Sequence, residues 1–376
     1  MKPTTYRAVV GAALTAALPA VFLPAGSASA AGGTAAETRT VDGAIAASFG
    51  RVADGVLTAR TAALLDHRPQ GQVAPLSDGK VRLAPGLART EQGALSALRA
   101  RRARLAGLGE AYTGADTRVT VDRTRVTGRQ AVVRVTETTT LTYKKIRGDE
   151  PATTGFQARH DLRFTATPAG TWQLAGIRPV NDGPLAVNEP GTAVASAGSG
   201  PDGTPASTSW PTRSKPRTGG SYNYKAMAAY AEKYWKNYNP AYRKFNDAGG
   251  DCTNFISQAL KAGGWKNDSG SSSDYRNWWY DSKNQTMSWV GADDWAWFTL
   301  YHKRATNLAN VYQLEVGDIL QMDFDRDGSK DHSMITTYRS RSGVPYLTYH
   351  SVNTYRRSMA SIVASYPTAR YFAYRT

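Results

Sequence analysis

The sequence predicts an α+β fold, laid down twice along one chain. Residues 31–180 begin with helical periodicity and then change to period-two alternation. Residues 222–376 repeat that order with a more aromatic composition. Between them, 181–221 is rich in Gly, Pro, Ser, Thr and Ala, with few side chains able to offset the entropy of ordering. That stretch is expected to be a flexible linker joining a small N-terminal α+β domain of undetermined role to a C-terminal one.

The elements follow in order. Residues 1–30 have the pattern of a secretory signal peptide: Lys2 and Arg7, an apolar run from Ala8 to Leu23, then Ala28-Ser29-Ala30. The mature chain is expected to be secreted, extracellular or associated with a cell wall, without a membrane span. In the N-terminal domain Val41, Ile45, Phe49, Val52 and Val56 mark one helix. Leu95, Leu98, Leu105 and Leu108 mark a second. Strands are expected around Val133 and Val135, Leu162 and Phe164, and Trp172 and Leu174. His67 and His160 have no acidic or cysteine neighbours at ligand spacing and read as structural or surface histidines.

Past the linker, 222–238 reads as a helix with Tyr230, Tyr234 and Tyr238 along one line, a core-packing stripe. A second helix starts at Cys252 and stops at Gly263-Gly264. A third lies in 291–307, opened by Asp293 or Asp294. Strands are expected at 318–324, 332–339, 345–352 and 369–375.

The formal charge is +16, and +14 once Lys2 and Arg7 are removed with the leader. Anionic partners are favoured, wall polymers over nucleic acid, because no compact Lys/Arg block with interleaved aromatics occurs. No zinc spacing, Gly-rich phosphate loop or Gly-x-Ser-x-Gly elbow is present, so no cofactor is expected. A monomer is expected.

Cys252 is the one cysteine of 376 residues, so it has no internal disulfide partner. It shares a helical face with Phe255, Ile256 and Ala259, as a small core residue would. Its flanks suggest chemistry. Asp251 is a suitable N-cap, which places the sulfur in the first helical turn, where free amides favour thiolate. Gly249 and Gly250 leave room for a substrate backbone.

A nucleophilic thiol needs a base. His332 opens one expected strand and His350 ends the next, and the start of one antiparallel strand faces the end of its neighbour. The two are therefore expected to be neighbours. His332 would take the proton from Cys252, and His350 would hold the imidazole through its other nitrogen. Asn353 is a second candidate orienter. His302 reads as surface or packing.

The stretches "GGDCTNFISQAL", "GDILQMDFDRDGSKDHSMITTY" and "YHSVNT" together resemble the putative amidase domain of bacterial secreted proteins, over about Tyr222 to Thr376. That family stands beside the NlpC/P60 and CHAP wall hydrolases. The resemblance implies a papain-like C-terminal fold, with Cys252, His332 and His350 in the three catalytic places. It also implies a second oxyanion donor just before the cysteine, for which Asn246 is the nearest fit beside the Cys252 amide. The N-terminal element order resembles the cone-like fold of the nuclear-transport-factor-2 type.

"DFDRDG" (323–328) matches the first half of a calcium loop, but its twelfth position would be Met334, which cannot chelate. It reads as a β-hairpin turn from Asp323 to Gly328, and no metal site is expected. The reading that follows is a secreted cysteine-type amidase or peptidase. It would cleave an amide through a thioester, in peptidoglycan peptides or another peptide substrate. The alternative is a non-catalytic wall-binding or adhesive module with a structural thiol.

Overall fold

In the computed structural model, residues 42–66, 77–180, 183–191, 203–218, 221–246 and 250–376 are described. The leader and His67 lie outside them. The protein is mixed α+β, with one sheet and helices on both of its faces.

Helices α1 (Gly43–Ala62) and α2 (Pro85–Gly107) are separated by the short β1 (Val81–Leu83). Four strands follow: β2 (Tyr112–Thr127), β3 (Gln130–Tyr143), β4 (Thr153–Ala166) and β5 (Trp172–Pro179). The expected helical stripe is the one that packs: Phe49, Val52 and Val56 bury against Val133, Val135, Leu162 and Phe164. Phe49 stacks on Phe164 with ring centroids 4.2 Å apart.

The second half contributes α3 (Tyr224–Tyr234), α4 (Cys252–Ala262), α5 (Met287–Val290) and α6 (Ala292–Tyr301). Then come β6 (Thr306–Leu308), β7 (Ile319–Asp323), β8 (His332–Arg339), β9 (Pro345–Tyr349), β10 (Asn353–Ser358), α7 (Met359–Ser365) and β11 (Arg370–Arg375). Neighbouring strands run in the order β10-β9-β8-β7-β11-β6.

Two expectations about domain organisation need correction. The halves do not carry separate sheets. β4 is long enough to serve three partners. β3 runs along one edge, β5 pairs with its C-terminal part, and β10 pairs antiparallel with Gly155, Phe156 and Gln157. An 11-stranded sheet therefore runs through both halves.

Nor is 181–221 a free tether among its described residues. Ala186, Val187, Asn188 and Glu189 are buried. Arg101 donates to the Val187 carbonyl, Asn188 to Glu137, and Arg60 to Glu189. Farther on, Arg217 pairs with Asp318 at 2.6 Å. Composition missed this because these anchors sit far away in sequence. His160 is also not bare of acids. It is buried with Nε2 3.0 Å from Glu137, a neighbour set by strand pairing rather than by spacing.

Strands β7, β8, β9 and β11 are covered on both faces. Ile319, Ile335, Phe372 and Tyr374 face α3, α4 and α6. Leu320, Met322, Met334, Leu347, Tyr349 and Ala373 face α7. Every residue of β8 from His332 to Thr337 is buried.

Candidate active site

Cys252 is the first residue of α4 and is 8% exposed. Its helix is amphipathic in the expected way: Phe255, Ile256, Ala259 and Leu260 are fully buried against the sheet. The polar residues of the helix are satisfied by neighbours. Asn254 accepts from Trp289 Nε1 at 2.8 Å and donates to Asp251 at 2.9 Å. Ser257 donates to the Trp289 carbonyl. The start of α4 is thus fixed by packing and by hydrogen bonds together.

Asp251 does not cap the helix through its side chain. It is fully buried, and its carboxylate is taken by three other donors. Oδ1 accepts from the Phe245 amide at 3.0 Å and from Asn254, and Oδ2 lies 2.8 Å from His350 Nδ1. The Asp251 amide donates to Ser351 Oγ, so the end of β9 and the start of α4 are tied twice. Ser351 has φ +86°, a left-handed conformation uncommon for a residue with a side chain. The site holds the chain there through these ties.

His350 lies flat between Phe255 and Tyr238, with ring centroids 3.9 and 4.0 Å away. Its Nε2 is 2.9 Å from the Tyr234 carbonyl at the end of α3. Both ring nitrogens face oxygen acceptors, the Asp251 carboxylate and a backbone carbonyl.

The expected bond between His350 and His332 is not made. His332 is fully buried, and neither of its ring nitrogens has a hydrogen-bond partner among the described residues. The expected bond from Cys252 to His332 is absent for the same reason. Strand parity is the cause. Successive side chains alternate between faces. Ser333 and Ile335 point toward α4, where Ser333 Oγ lies 3.0 Å from Thr253 Oγ1. His332 goes with Met334 to the α7 face, edge-on to Tyr349 at 5.1 Å and 6.4 Å from Phe324. The register Ile335↔Thr348, continued two residues, sets Ser333 opposite His350. His350, rather than His332, therefore shares the sheet face of the thiol.

Electrostatics follow from burial. Burial pushes the Cys252 thiol up from its usual value, outweighing the Thr253 hydroxyl and the Ser333 backbone amide, which favour thiolate. The Ser333 amide thus abuts the sulfur, one residue from His332. Burial without a partner lowers His332 to about 3, so its imidazole is neutral at ordinary pH.

Asn246 and Asn353 meet at a hydroxyl that the sequence had assigned to core packing. Tyr238 Oη is 3.1 Å from Asn246 Oδ1 and 3.2 Å from Asn353 Oδ1. Asn353 also donates to Gln157 Oε1 at 3.3 Å, so it does not orient His332. Gln157 belongs to β4, which brings the first half of the chain to the edge of the site. Burial raises the Tyr238 phenol, with Asp251 next and Cys252 a smaller contributor, which places the phenol within the field of the sulfur. The sequence held no signal for Gln157 or Ser351. The tyrosine line in 222–238 did point at Tyr238, but as packing.

Asp323, Asp325 and Asp327 bring carboxylate oxygens within 4.8 Å of one another. Both oxygens of Asp323 are engaged by backbone amides of Arg326 and Gly328, as a tight turn between β7 and β8 requires.

Residues 221–374 match the family model described as "Putative amidase domain". An uncharacterized protein of Bacillus subtilis, YhbB, is 31% identical over 160 residues, 41% of this chain and 50% of its own length. A second from the same organism, YjcM, is 33% identical over 142 residues, 35% of this chain and 31% of its own. The chain thus spans half or less of these curated relatives. Among solved structures, the intermembrane space region of the chloroplast protein ARC6 aligns over 38% of this chain and 98% of its own, at 16% identity and a TM-score of 0.24.

Proposed function

We propose that this protein is a secreted, cysteine-dependent amidohydrolase with a papain-like catalytic half. Cys252 is its nucleophile and the Asp251–His350 pair its acid–base group. The family match supports a hydrolase of amides. One observation carries the finer reading: the thiol starts a buried helix on the same sheet face as an imidazole whose Nδ1 is held by a carboxylate at 2.8 Å. A carboxylate at Nδ1 fixes the ring so that Nε2 handles the proton.

With the thiol raised by burial, the resting sulfur is protonated, and attack needs general-base help rather than a standing ion pair. On leaving the Tyr234 carbonyl, His350 gives its Nε2 proton to solvent and keeps Nδ1–H on Asp251; the freed Nε2 then accepts the thiol proton as sulfur bonds to the substrate carbonyl carbon. The tetrahedral oxyanion is held by backbone amides at the start of α4, with Asn246 as a side-chain donor beside them. The proton passes to the departing amine as the C–N bond breaks. Water then attacks the thioester, returns a proton to sulfur and releases the acid.

The substrate we propose is a peptide of bacterial peptidoglycan. The leader pattern and the strongly positive charge of the chain behind it support an exported protein working on an anionic wall. A second reading makes His332 the base, because its two nitrogens have no partner. It requires the ring to leave the α7 face.

The test is digestion of purified wall by wild type and Cys252→Ala, with new amine ends read by mass spectrometry. Wild type should release ends that the variant does not. Identical products would leave Cys252 a structural thiol in a wall-binding module.

A further inference from the structure

We propose a second binding site, for a small organic carboxylate with an apolar body, in a cleft between α2, α7 and the turn before β11. The cleft has a volume of about 410 Å³, within the range of ligand pockets. Its walls include Phe324, Tyr366, Pro367 and Ala97, and its charged lining is Arg101 and Arg104.

Arg101 carries the inference. It is 7% exposed, and its Nε has no hydrogen-bond partner among the described residues. Its Nη1 donates to the Val187 carbonyl at 2.6 Å, and no carboxylate pairs with it among the described residues. Glu189 acts on it only from a distance and is already bonded to Arg60 at 3.1 Å. A buried guanidinium in that condition is costly, and an incoming anion would relieve it. Burial lowers Arg101 to about 10, which agrees with a cation short of counter-charge.

Two more guanidiniums deepen the field. Arg357 is fully buried and, among the described residues, is bonded to Ser361, Ser365 and the Tyr349 hydroxyl, none of them charged. Arg104 sits exposed at the rim and uses Nε on the Ala364 carbonyl at 2.8 Å. A planar fork recognises a carboxylate in two-point fashion. The apolar remainder of the lining calls for a tail, which inorganic anions lack. This site lies on the α7 side of the sheet, away from Cys252, and its existence does not depend on the amidase reading.

The experiment is calorimetric titration of the full chain with hexanoate, hexanamide and inorganic phosphate. Hexanoate should bind saturably, and hexanamide and phosphate each at least about tenfold more weakly, since each lacks one half of the recognised chemistry. Arg104→Gln, at an exposed position, should weaken hexanoate about fivefold while leaving the thermal midpoint unchanged. Arg101→Gln should abolish binding, with folding checked by circular dichroism. Absence of saturable hexanoate binding, equal binding of hexanamide or phosphate, or wild-type affinity in folded Arg104→Gln would overturn the proposal.

Discussion

His332, which opens β8, and His350, just past the end of β9, lie on opposite faces of the sheet and meet opposite surroundings. On the α4 face, His350 has both nitrogens bonded, to Asp251 at 2.8 Å and to the Tyr234 carbonyl at 2.9 Å. On the α7 face, His332 is as deeply buried and has no partner for either nitrogen. The first ring is fixed in position by a carboxylate, a carbonyl and two stacked aromatic rings. The second is kept neutral by its surroundings. Burial alone does not determine what a histidine can do; the groups it meets do.

The largest effect that would break this contrast is loss of the nucleophile. Cys252→Ala should lower amide hydrolysis by at least about 10³-fold, read as released amine per unit time. Retained activity would remove the thiol from the chemistry and make the comparison of its neighbours moot.

Next comes acid stability, which tests the α7 face. The folded-state pKa of His332, about 3, lies below its unfolded value near 6.5, so the unfolded chain binds the proton more readily. The contribution is complete above pH 6.5 and is lost as pH falls toward 3. Replacing the ring with Phe should flatten the fall in unfolding free energy between pH 6.5 and 4 by about 2–3 kcal/mol. Denaturant titrations at several pH values check this. An unchanged slope would mean that the ring finds a partner on protonation.

Glu110 gives a smaller effect of opposite sense. Burial raises its carboxyl to about 7, above its unfolded value, despite the hydrogen bond from Ser358. Its stabilisation is complete below about pH 4.5 and is lost as pH rises through 7. Glu110→Gln should therefore gain about 1–2 kcal/mol at pH 8 and little at pH 4. Chemical denaturation at those two pH values measures it.

The smallest predicted change sharpens the α4 face. Tyr238→Phe removes the hydroxyl that meets Asn246 and Asn353 and keeps the ring on His350. About 1 kcal/mol of stability should go, with activity falling less than that of Asn246→Ala if Asn246 serves the oxyanion. A Tyr238→Phe enzyme slower than Asn246→Ala would assign the hydroxyl a direct part.

The elements themselves were largely legible. The sequence placed β8 at 332–339, as found, and α4 with its thiol at the front. What it could not supply was parity. β8 is buried on both faces from His332 to Thr337, so no polar–apolar alternation tells which residues turn toward α4. One step of parity separates Ser333 from His332, and with it the two candidate bases. β10 and α7 were missed because "NTYRRS" looks polar, although Arg357 is fully buried in the fold. The packing of Ala186 to Glu189 was missed because Arg60 and Arg101 lie too far back in the chain for composition to link them.

The most direct measurement sets the two histidines against each other. Determined side by side on the same wall substrate, kcat/KM of His350→Ala should fall by about 10²–10⁴-fold, while that of His332→Ala should stay within about tenfold of wild type. The reverse order, with His332→Ala inactive and His350→Ala active, would contradict the assignment of the acid–base role to the α4 face.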